Sequence, residues 1–186
     1  MQHSDLSGFR VAALVEDHFE QIEFTKPKRA FEAALAHVEL VSRHPELHAV
    51  NHLQPGNTFA ADIVLAEAQP GNFDALFLPG GVVNGDALRI VPEAREFARA
   101  MVAAGKPVAV ICHGGWLLIS SGLVSGRTLT SWPTLQDDYR NAGATWEDRE
   151  VVVDGNWISS RKPDDIPAFT RAALEVFSST RARKAA

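Results

Sequence analysis

The sequence predicts an α/β fold in which a mostly parallel sheet is covered by helices on both faces. Short apolar runs rich in Val, Leu, Ile and Phe alternate with segments of helical pattern along the chain. Gly and Pro flank several of these runs, where turns between strands and helices are expected. Strands that alternate with helices in this way form parallel sheets. With 186 residues and no repeat or linker-like segment, the chain is predicted to be one domain spanning residues 1–186.

The first predicted elements are two strands with a helix between them. Residues 9–15 are an apolar run after a Ser-Gly pair, and they predict a buried strand that ends at an acidic cluster. A helix is predicted to open at residues 20–23 and to continue through residues 29–35, with Pro27 in its first turn or at a kink. Residues 37–42 alternate in polarity and predict the second strand.

The middle of the chain repeats this order. Residues 43–57 are polar and predict no regular element, whereas residues 60–65 predict a short third strand. Residues 73–79 predict another buried strand, which is followed by the pair Gly80-Gly81 and a loop. A helix is then predicted to run through residues 95–104.

The last part of the chain adds two further units. A buried strand begins at Val108 and ends at Cys112, the single cysteine, after which two glycines and an apolar run predict a helix. Residues 133–142 also have a helical pattern. The pair Asp154-Gly155 lies between two β runs and predicts a hairpin, and residues 166–178 predict a closing amphipathic helix.

Composition and motifs argue against several classes of protein. The formal net charge of −5 disfavours a general nucleic-acid binder, which needs a basic face. A single cysteine forbids an intramolecular disulfide, so we expect a reducing, cytoplasmic location. We find no signal-peptide pattern and no apolar run of the ~20 residues that span a bilayer. No Walker loop, dinucleotide fingerprint or zinc-site spacing occurs, so neither a cofactor nor a metal is expected.

Cys112 is the residue around which the chemistry of the chain is predicted to be organised. A thiol is nucleophilic as the thiolate, and the unpaired amides at the start of a helix stabilise negative charge. Gly114 and Gly115 allow a tight bend, as in nucleophile elbows, although Val110 stands where such elbows usually have a glycine. This stretch alone does not distinguish a reactive thiol from a buried structural cysteine at position 112.

Loops after the other strands supply candidate partners, because sites in open α/β sheets lie beyond the carboxyl ends of the strands. Glu20 is the best carboxyl to hydrogen-bond a thiolate, or it only stabilises a helix N-terminus. Gly81 and His113 have backbone amides that can bind an oxyanion, although turns use Gly-Gly pairs constantly. The side chains of Cys112 and His113 meet only if the turn between them is sharp.

Several motifs spread over nearly the whole chain are specific in combination. They are EDHFEQIE at residues 16–23, FLPGG at 77–81, DALR at 86–89, GKP at 105–107, ICHG at 111–114, RTLTS at 127–131, NAG at 141–143, EVVVDGN at 150–156 and SRKPDD at 160–165. With these motifs the sequence resembles the PfpI family of intracellular-peptidase-like proteins, relatives of the class I glutamine amidotransferases. The resemblance implies a flavodoxin-like three-layer α/β sandwich with a nucleophile elbow.

The resemblance also implies roles for individual residues. Cys112 would be the nucleophile, Glu20 would contact its sulfur, and His113 would be the base. The amides of Gly81 and His113 would be the oxyanion donors. Asp86 would be a third catalytic partner that reaches across from a neighbouring subunit, which implies a homo-oligomer, either a dimer or a larger ring. The alternative use of Asp86 is to cap the turn that follows it.

The activities described for the family set the functional expectation. They are peptidase, protein or nucleotide deglycase, and glyoxalase-like conversion of dicarbonyls, generally in stress protection. We therefore expect a cofactor-free cysteine-dependent hydrolase that acts on a small carbonyl or peptide substrate, without a nucleic acid or membrane partner. The alternative is a redox-sensing or chaperone-like stress protein in which Cys112 is oxidised instead of turning over substrate.

Overall fold

The computed structural model describes residues 5–185, which contain eleven strands and six α-helices. The strands are β1 (Arg10–Leu14), β2 (His37–Ser42), β3 (Glu46–Asn51), β4 (Gln54–Ala60), β5 (Ile63–Val64), β6 (Ala75–Leu78), β7 (Val108–Ile111), β8 (Thr128–Leu129), β9 (Thr145–Trp146), β10 (Val151–Asp154) and β11 (Trp157–Ser160). The α-helices are α1 (Gln21–Ala33), α2 (Val82–Leu88), α3 (Pro92–Ala103), α4 (Gly115–Ser120), α5 (Gln136–Asn141) and α6 (Ile166–Ala185).

Seven of the strands form one central sheet in the order β10-β11-β7-β6-β1-β2-β5. All neighbouring pairs in this sheet are parallel except β10 and β11, which form the hairpin predicted at Asp154-Gly155. β3 pairs with β4, and β8 pairs with β9, in two separate ribbons. The mostly parallel sheet predicted from the sequence is therefore confirmed.

Helices cover both faces of this sheet, and each face has its own apolar core. Successive residues of β1 alternate between the cores: Val11 and Ala13 contribute to one, Ala12 and Leu14 to the other. Aromatic residues of α1 and α6 complete the first core, and apolar residues of α3, α4 and α5 complete the second. Strands that are buried on both faces explain the continuous apolar runs in the sequence, and the three-layer sandwich is confirmed.

The order of the strands places a crevice at the carboxyl ends of the central strands β1 and β6. From β1 the chain moves outward through β2 to β5, and it then returns to β6 and continues through β7 to β11 on the other side. The loops that follow β1 and β6 therefore leave the sheet in opposite directions, which is the switch point where ligands bind in open α/β sheets.

Several predicted elements differ from the structure. Residues 43–57 contain most of the hairpin β3–β4 instead of an irregular segment, and the predicted third strand is reduced to β5 and a 3₁₀ turn. The loop predicted after Gly81 is the helix α2. Pro27 lies inside a continuous α1 instead of in its first turn.

The closing helix α6 is longer than predicted and continues to Ala185. In the part of the chain that the structure describes, no helix combines the length and the apolar character that crossing a membrane requires.

Candidate active site

Cys112 has a strained backbone conformation at the end of β7. Its φ of 59° lies in the left-handed region, which is rare for a residue with a Cβ. A single 3₁₀ turn, Cys112–Gly114, connects the strand to α4. A Cβ at Gly114 would lie 2.6 Å from the carbonyl oxygen of Leu78, so glycine allows the turn to pack against β6. This turn brings the Cys112 Sγ to 3.2 Å from Nδ1 of the adjacent His113.

Glu23 is the carboxyl group beside the thiol. Its side chain is fully buried in the first turn of α1, and the thiol of Cys112 beside it lowers its pKa. Its Oε2 accepts the amide of Gly80 at 3.0 Å, and its Oε1 has no hydrogen-bond partner among residues 5–185. Burial raises the pKa of Glu23 to about 8, against the opposing effect of the thiol and of the Gly80 amide. At neutral pH this carboxyl therefore carries a proton.

The contact predicted between Glu20 and the sulfur is made by Glu23 instead. Glu20 is the N-cap residue of α1 and still has an extended backbone. Its side chain turns towards the β3–β4 hairpin, where Oε2 accepts the amide of His52 at 2.8 Å. Glu23 follows after the helix has begun and faces the sheet, which explains why the two carboxyls diverge. Glu20 therefore holds the hairpin beside the site.

Two backbone amides act on the sulfur. The N–H groups of Gly81 and His113 both lower the pKa of the Cys112 thiol, as hydrogen-bond donors to a thiolate do. Gly81 has a φ of 99°, and a Cβ there would lie 2.7 Å from the amide nitrogen of Glu20. A Cβ at Gly80 would lie 2.6 Å from Cβ of Cys112. The glycine pair therefore allows the loop after β6 to approach the thiol closely.

The imidazole of His113 is held between two indoles. It stacks on Trp132 with the ring centroids 5.7 Å apart and lies tilted to Trp116 at 5.2 Å. Trp116 is fixed in turn because its Nε1 donates to Oδ2 of Asp138 at 2.7 Å. Partial burial lowers the pKa of His113 to about 4, so the ring is neutral at pH 7. A neutral imidazole whose Nδ1 faces a thiol is able to accept the thiol proton.

The surroundings of Cys112 favour the protonated thiol over the thiolate at neutral pH. Burial and the charge of an ionised Glu23 raise the pKa of Cys112, whereas the amides of Gly81 and His113 lower it. Helix α4 contributes little because it has six residues and begins after the 3₁₀ turn. A thiolate therefore requires a protonated Glu23 and a base that takes the thiol proton.

These groups share a pocket of about 230 Å³ at the switch point of the sheet. Its lining residues are Glu20, Glu23, His52, Leu53, Gly81, Val82, Cys112, His113, Trp132 and Pro163. A second cavity of about 370 Å³ adjoins it under the β3–β4 hairpin and shares three of these residues. Among residues 5–185, no three His, Cys, Asp or Glu side chains are grouped so that they could hold a metal ion.

Asp86 is the one predicted catalytic residue that the fold of a single chain does not bring to this pocket. It lies exposed on α2 and is not part of the pocket lining. No carboxylate within residues 5–185 forms a hydrogen bond or ion pair with the ring of His113. Val82 and Val83 lie near Asp86 on the same helix, and they are 47% and 49% exposed.

Comparison with known proteins identifies the family of the chain. A sequence profile of the DJ-1/PfpI family matches residues 9–176. The chain belongs to the DJ-1/PfpI family. It is 43% identical over 167 residues to a deglycase of Pyrococcus abyssi, a match that covers 90% of this chain and 98% of that protein. It is 40% identical over 168 residues to protein/nucleic acid deglycase 2 of Escherichia coli, covering 90% of this chain and 96% of that protein.

A solved structure supports the same assignment. The crystal structure of a two-domain protein from Anabaena variabilis, with DJ-1/ThiJ/PfpI-like and ferritin-like domains, superimposes with a TM-score of 0.84 at 33% identity. The match covers 90% of this chain and 47% of that chain. The resemblance to the PfpI family and the fold that it implied are confirmed.

Glu23 is the residue of this DJ-1/PfpI site that the sequence interpretation missed. The available signal was its position in the buried stripe of α1, which also contains Phe24, Pro27 and Phe31. A carboxylate in an apolar stripe that faces the sheet is costly unless it has a partner or a proton. The stripe therefore indicated Glu23, whereas the sequence analysis selected Glu20 from the carboxylates of this loop.

Proposed function

We propose that this DJ-1/PfpI protein is a cysteine-dependent hydrolase of the deglycase type, acting on carbonyl adducts of small dicarbonyls. The observation that carries the proposal is the thiol of Cys112 at a strained elbow, with a neutral imidazole nitrogen at 3.2 Å and two amide donors on the sulfur. The names of the P. abyssi and E. coli relatives favour deglycase over peptidase activity. A pocket of about 230 Å³ suits a three-carbon adduct better than an extended peptide.

The first chemical step is common to dicarbonyl, glycated and peptide substrates. The sulfur of Cys112 forms a bond to the carbonyl carbon while the thiol proton passes to Nδ1 of His113. The carbonyl π electrons move onto oxygen, and the amides of Gly81 and His113 stabilise the resulting oxyanion. Because His113 is neutral before the step, it has a free lone pair for the proton.

Glu23 supplies a hydrogen-bond donor that stabilises negative charge on the buried sulfur. As a neutral acid it donates a hydrogen bond to the developing thiolate, and it adds no repulsion. As an anion it would oppose thiolate formation. We therefore propose that Glu23, and not Glu20, is the catalytic carboxyl of this chain.

Turnover by the native protein and by Cys112→Ala tests the proposed function. We expect the native protein to consume methylglyoxal and to release amines from methylglyoxal-treated amino acids and peptides, and the variant to lose at least about a thousandfold of this rate. Thr170→Val, which removes a buried hydroxyl from α6, serves as the control. Equal turnover by the native protein and Cys112→Ala would exclude the proposal.

Intact-mass measurement after mild peroxide treatment separates the redox alternative. Rapid oxidation of Cys112 without turnover of any of these substrates would support a redox sensor over a hydrolase. Cleavage of unmodified peptides, with no release from glycated ones, would support a peptidase.

We also propose that the active form is a homo-oligomer in which Asp86 of a second copy orients His113. The exposed position of Asp86, the exposed Val82 and Val83 on the same helix, and the lack of a carboxylate on His113 within residues 5–185 support this assembly. Light scattering after size exclusion should give a dimer or a larger ring, and Asp86→Asn should lower kcat without dissociating it. A fully active monomer would contradict the proposal. The single cysteine is compatible with a reducing compartment, and we propose the cytoplasm.

A further inference from the structure

Asn84, on α2, is fully buried and joins backbone groups from two loops. Its Oδ1 accepts the amide of Glu16 at 2.6 Å. Its Nδ2 donates to the carbonyl oxygens of Gly80 at 2.9 Å and Pro79 at 3.2 Å. These neighbours define the orientation of the side-chain amide, because one is a donor and the other two are acceptors. Asn84 therefore ties the chain after β1 to the loop after β6.

The peptide between Gly80 and Gly81 is the part of this network that touches the thiol. Its carbonyl oxygen accepts Nδ2 of Asn84 and, at 3.1 Å, the amide of Glu20. The peptide passes close to the sulfur, since a Cβ at Gly80 would lie 3.1 Å from Sγ of Cys112, and its N–H lowers the pKa of that thiol. In a planar trans peptide the C=O and the N–H point in opposite directions. Donors that hold the carbonyl on one side therefore aim the N–H at the sulfur on the other.

This peptide needs such a restraint because it has a glycine on each side. Without a Cβ, neither residue restricts its own φ and ψ strongly, and Gly81 already has a φ of 99°. If the peptide plane turned over, a carbonyl oxygen would face the sulfur and would repel both a thiolate and an oxyanion. The orientation of the donor is therefore set by its hydrogen-bond partners more than by the local backbone.

We propose that Asn84 is a positioning residue that fixes the Gly80–Gly81 peptide and so keeps the Gly81 amide aimed at the oxyanion. Asn84 does not line the pocket, so it acts through Gly81 and does not touch substrate. The catalytic part of this inference rests on the proposed function, because it assumes that an oxyanion forms beside Cys112.

Two substitutions separate orientation of the peptide from simple loss of a buried side chain. Asn84→Ala removes every hydrogen bond of the side chain. Asn84→Ser keeps a hydroxyl that, in a helix, donates to the carbonyl four residues earlier, which is that of Gly80. The serine hydroxyl is too short to retain the contact with Glu16 as well. If Asn84 acts by fixing the peptide, Asn84→Ser should recover function that Asn84→Ala loses.

We expect Asn84→Ala to lower kcat by about a hundredfold and to change KM by less than about threefold, as for loss of one oxyanion donor. Asn84→Ser should regain about tenfold of that loss. Thr170→Val is the control, since it also loses a buried hydrogen bond, and it should retain kcat. Native kcat in Asn84→Ala, or equal losses in Asn84→Ala and Asn84→Ser, would overturn the proposal.

Two measurements do not depend on a substrate and so distinguish this inference from the proposed function. The pKa of the Cys112 thiol, followed by alkylation rate against pH, should rise by about one in Asn84→Ala because the thiolate loses a donor. In the native protein, NMR should detect a scalar coupling across the hydrogen bond between Nδ2 of Asn84 and the carbonyl carbon of Gly80. An unchanged thiol pKa or an absent coupling would overturn the role of Asn84 even if the chain proved inactive. The coupling also gives a result if the variants do not fold.

Discussion

Glu16 and Glu23 are two buried carboxyl groups at the same edge of the sheet, and they have opposite surroundings. Glu16, 2% exposed, accepts two guanidinium nitrogens of Arg43 at 2.9 and 3.0 Å, and His44 lies 3.4 Å away. Glu23, 0% exposed, has no cation beside it among residues 5–185; its Oε2 accepts the amide of Gly80, and the thiol of Cys112 lies beside it.

This difference decides what each carboxyl can do. Glu16 forms an ion pair with the guanidinium of Arg43, which fastens the loop after β1. Burial without a cation raises the pKa of Glu23 to about 8, so this carboxyl keeps its proton and can donate a hydrogen bond to the sulfur. The same residue type at the same edge is thus structural in one place and, in our proposal, catalytic in the other.

The largest expected effect comes from removing the hydrogen-bond donor of Glu23. Glu23→Leu keeps about the same size but has no group that can donate to the developing thiolate, so we expect kcat to fall by about a hundredfold or more. Glu16→Leu is the matched control at the paired site, and its kcat should stay within about threefold of native. Steady-state kinetics on the same adduct would show this, and equal losses in the two variants would remove the distinction between the carboxyls.

The pH dependence of the rate should have two limbs set by Glu23 and His113. Above about 8 the ionised Glu23 opposes the thiolate, and below about 4 the protonated His113 cannot accept the thiol proton. We expect kcat/KM to fall about tenfold per pH unit beyond each limit. In Glu23→Gln the alkaline limb should disappear. A rate that rises steadily from pH 7 to 9 would show that thiol ionisation alone controls the reaction.

The free energy of unfolding of the native protein should also depend on pH because of Glu23. Its folded pKa of about 8 lies above the ordinary value of 4.5, so its neutral form stabilises the fold fully below pH 4.5, and this contribution is lost as pH rises towards 8. Glu23→Gln does not titrate. The free energy of unfolding of the variant should therefore rise relative to native by up to about 1.4 kcal/mol per pH unit in this window. Urea denaturation from pH 5 to 8 measures the free energy of unfolding of both proteins. A difference between them that stays constant over this range would contradict the expectation.

The smallest expected effect lies at the paired carboxyl. Arg43→Met leaves Glu16 without its guanidinium, but the Arg43 side chain is 46% exposed and water replaces part of the interaction. We expect a loss of about 1–2 kcal/mol in the free energy of unfolding and a kcat within about threefold of native. If Arg43→Met had native stability but low activity, this result would indicate that Glu16 has a role in catalysis.

The sequence predicted the parts of the fold and site that depend on local pattern. The strands β1, β6 and β7 are apolar on both faces, and their runs are clear in the sequence. Cys112 and Gly81 were found because a lone cysteine and a glycine pair follow such runs. The hairpin β3–β4 was missed because Leu47 and Ala49 are its only fully buried residues.

Contacts between distant segments were not predictable in the same way. Glu20 and Glu23 both follow β1, and only the start of α1 between them decides which one faces the thiol. Asn84 and Glu16 are 68 residues apart in sequence, and their hydrogen bond depends on two loops meeting at the switch point. The residue types were visible in the sequence, but their partners depend on the packing of the whole sheet edge.

The protonation state of Glu23 is the most direct test of this view of the site. A ¹³C NMR titration of the Glu23 carboxyl carbon in the native protein, assigned by comparison with Glu23→Gln, measures it without a substrate. We expect the signal of a neutral acid at pH 7 and a midpoint of about 8. A midpoint below about 5, the range of an ordinary glutamate, would mean that Glu23 is an anion beside the thiol and would contradict its role as a hydrogen-bond donor to the thiolate.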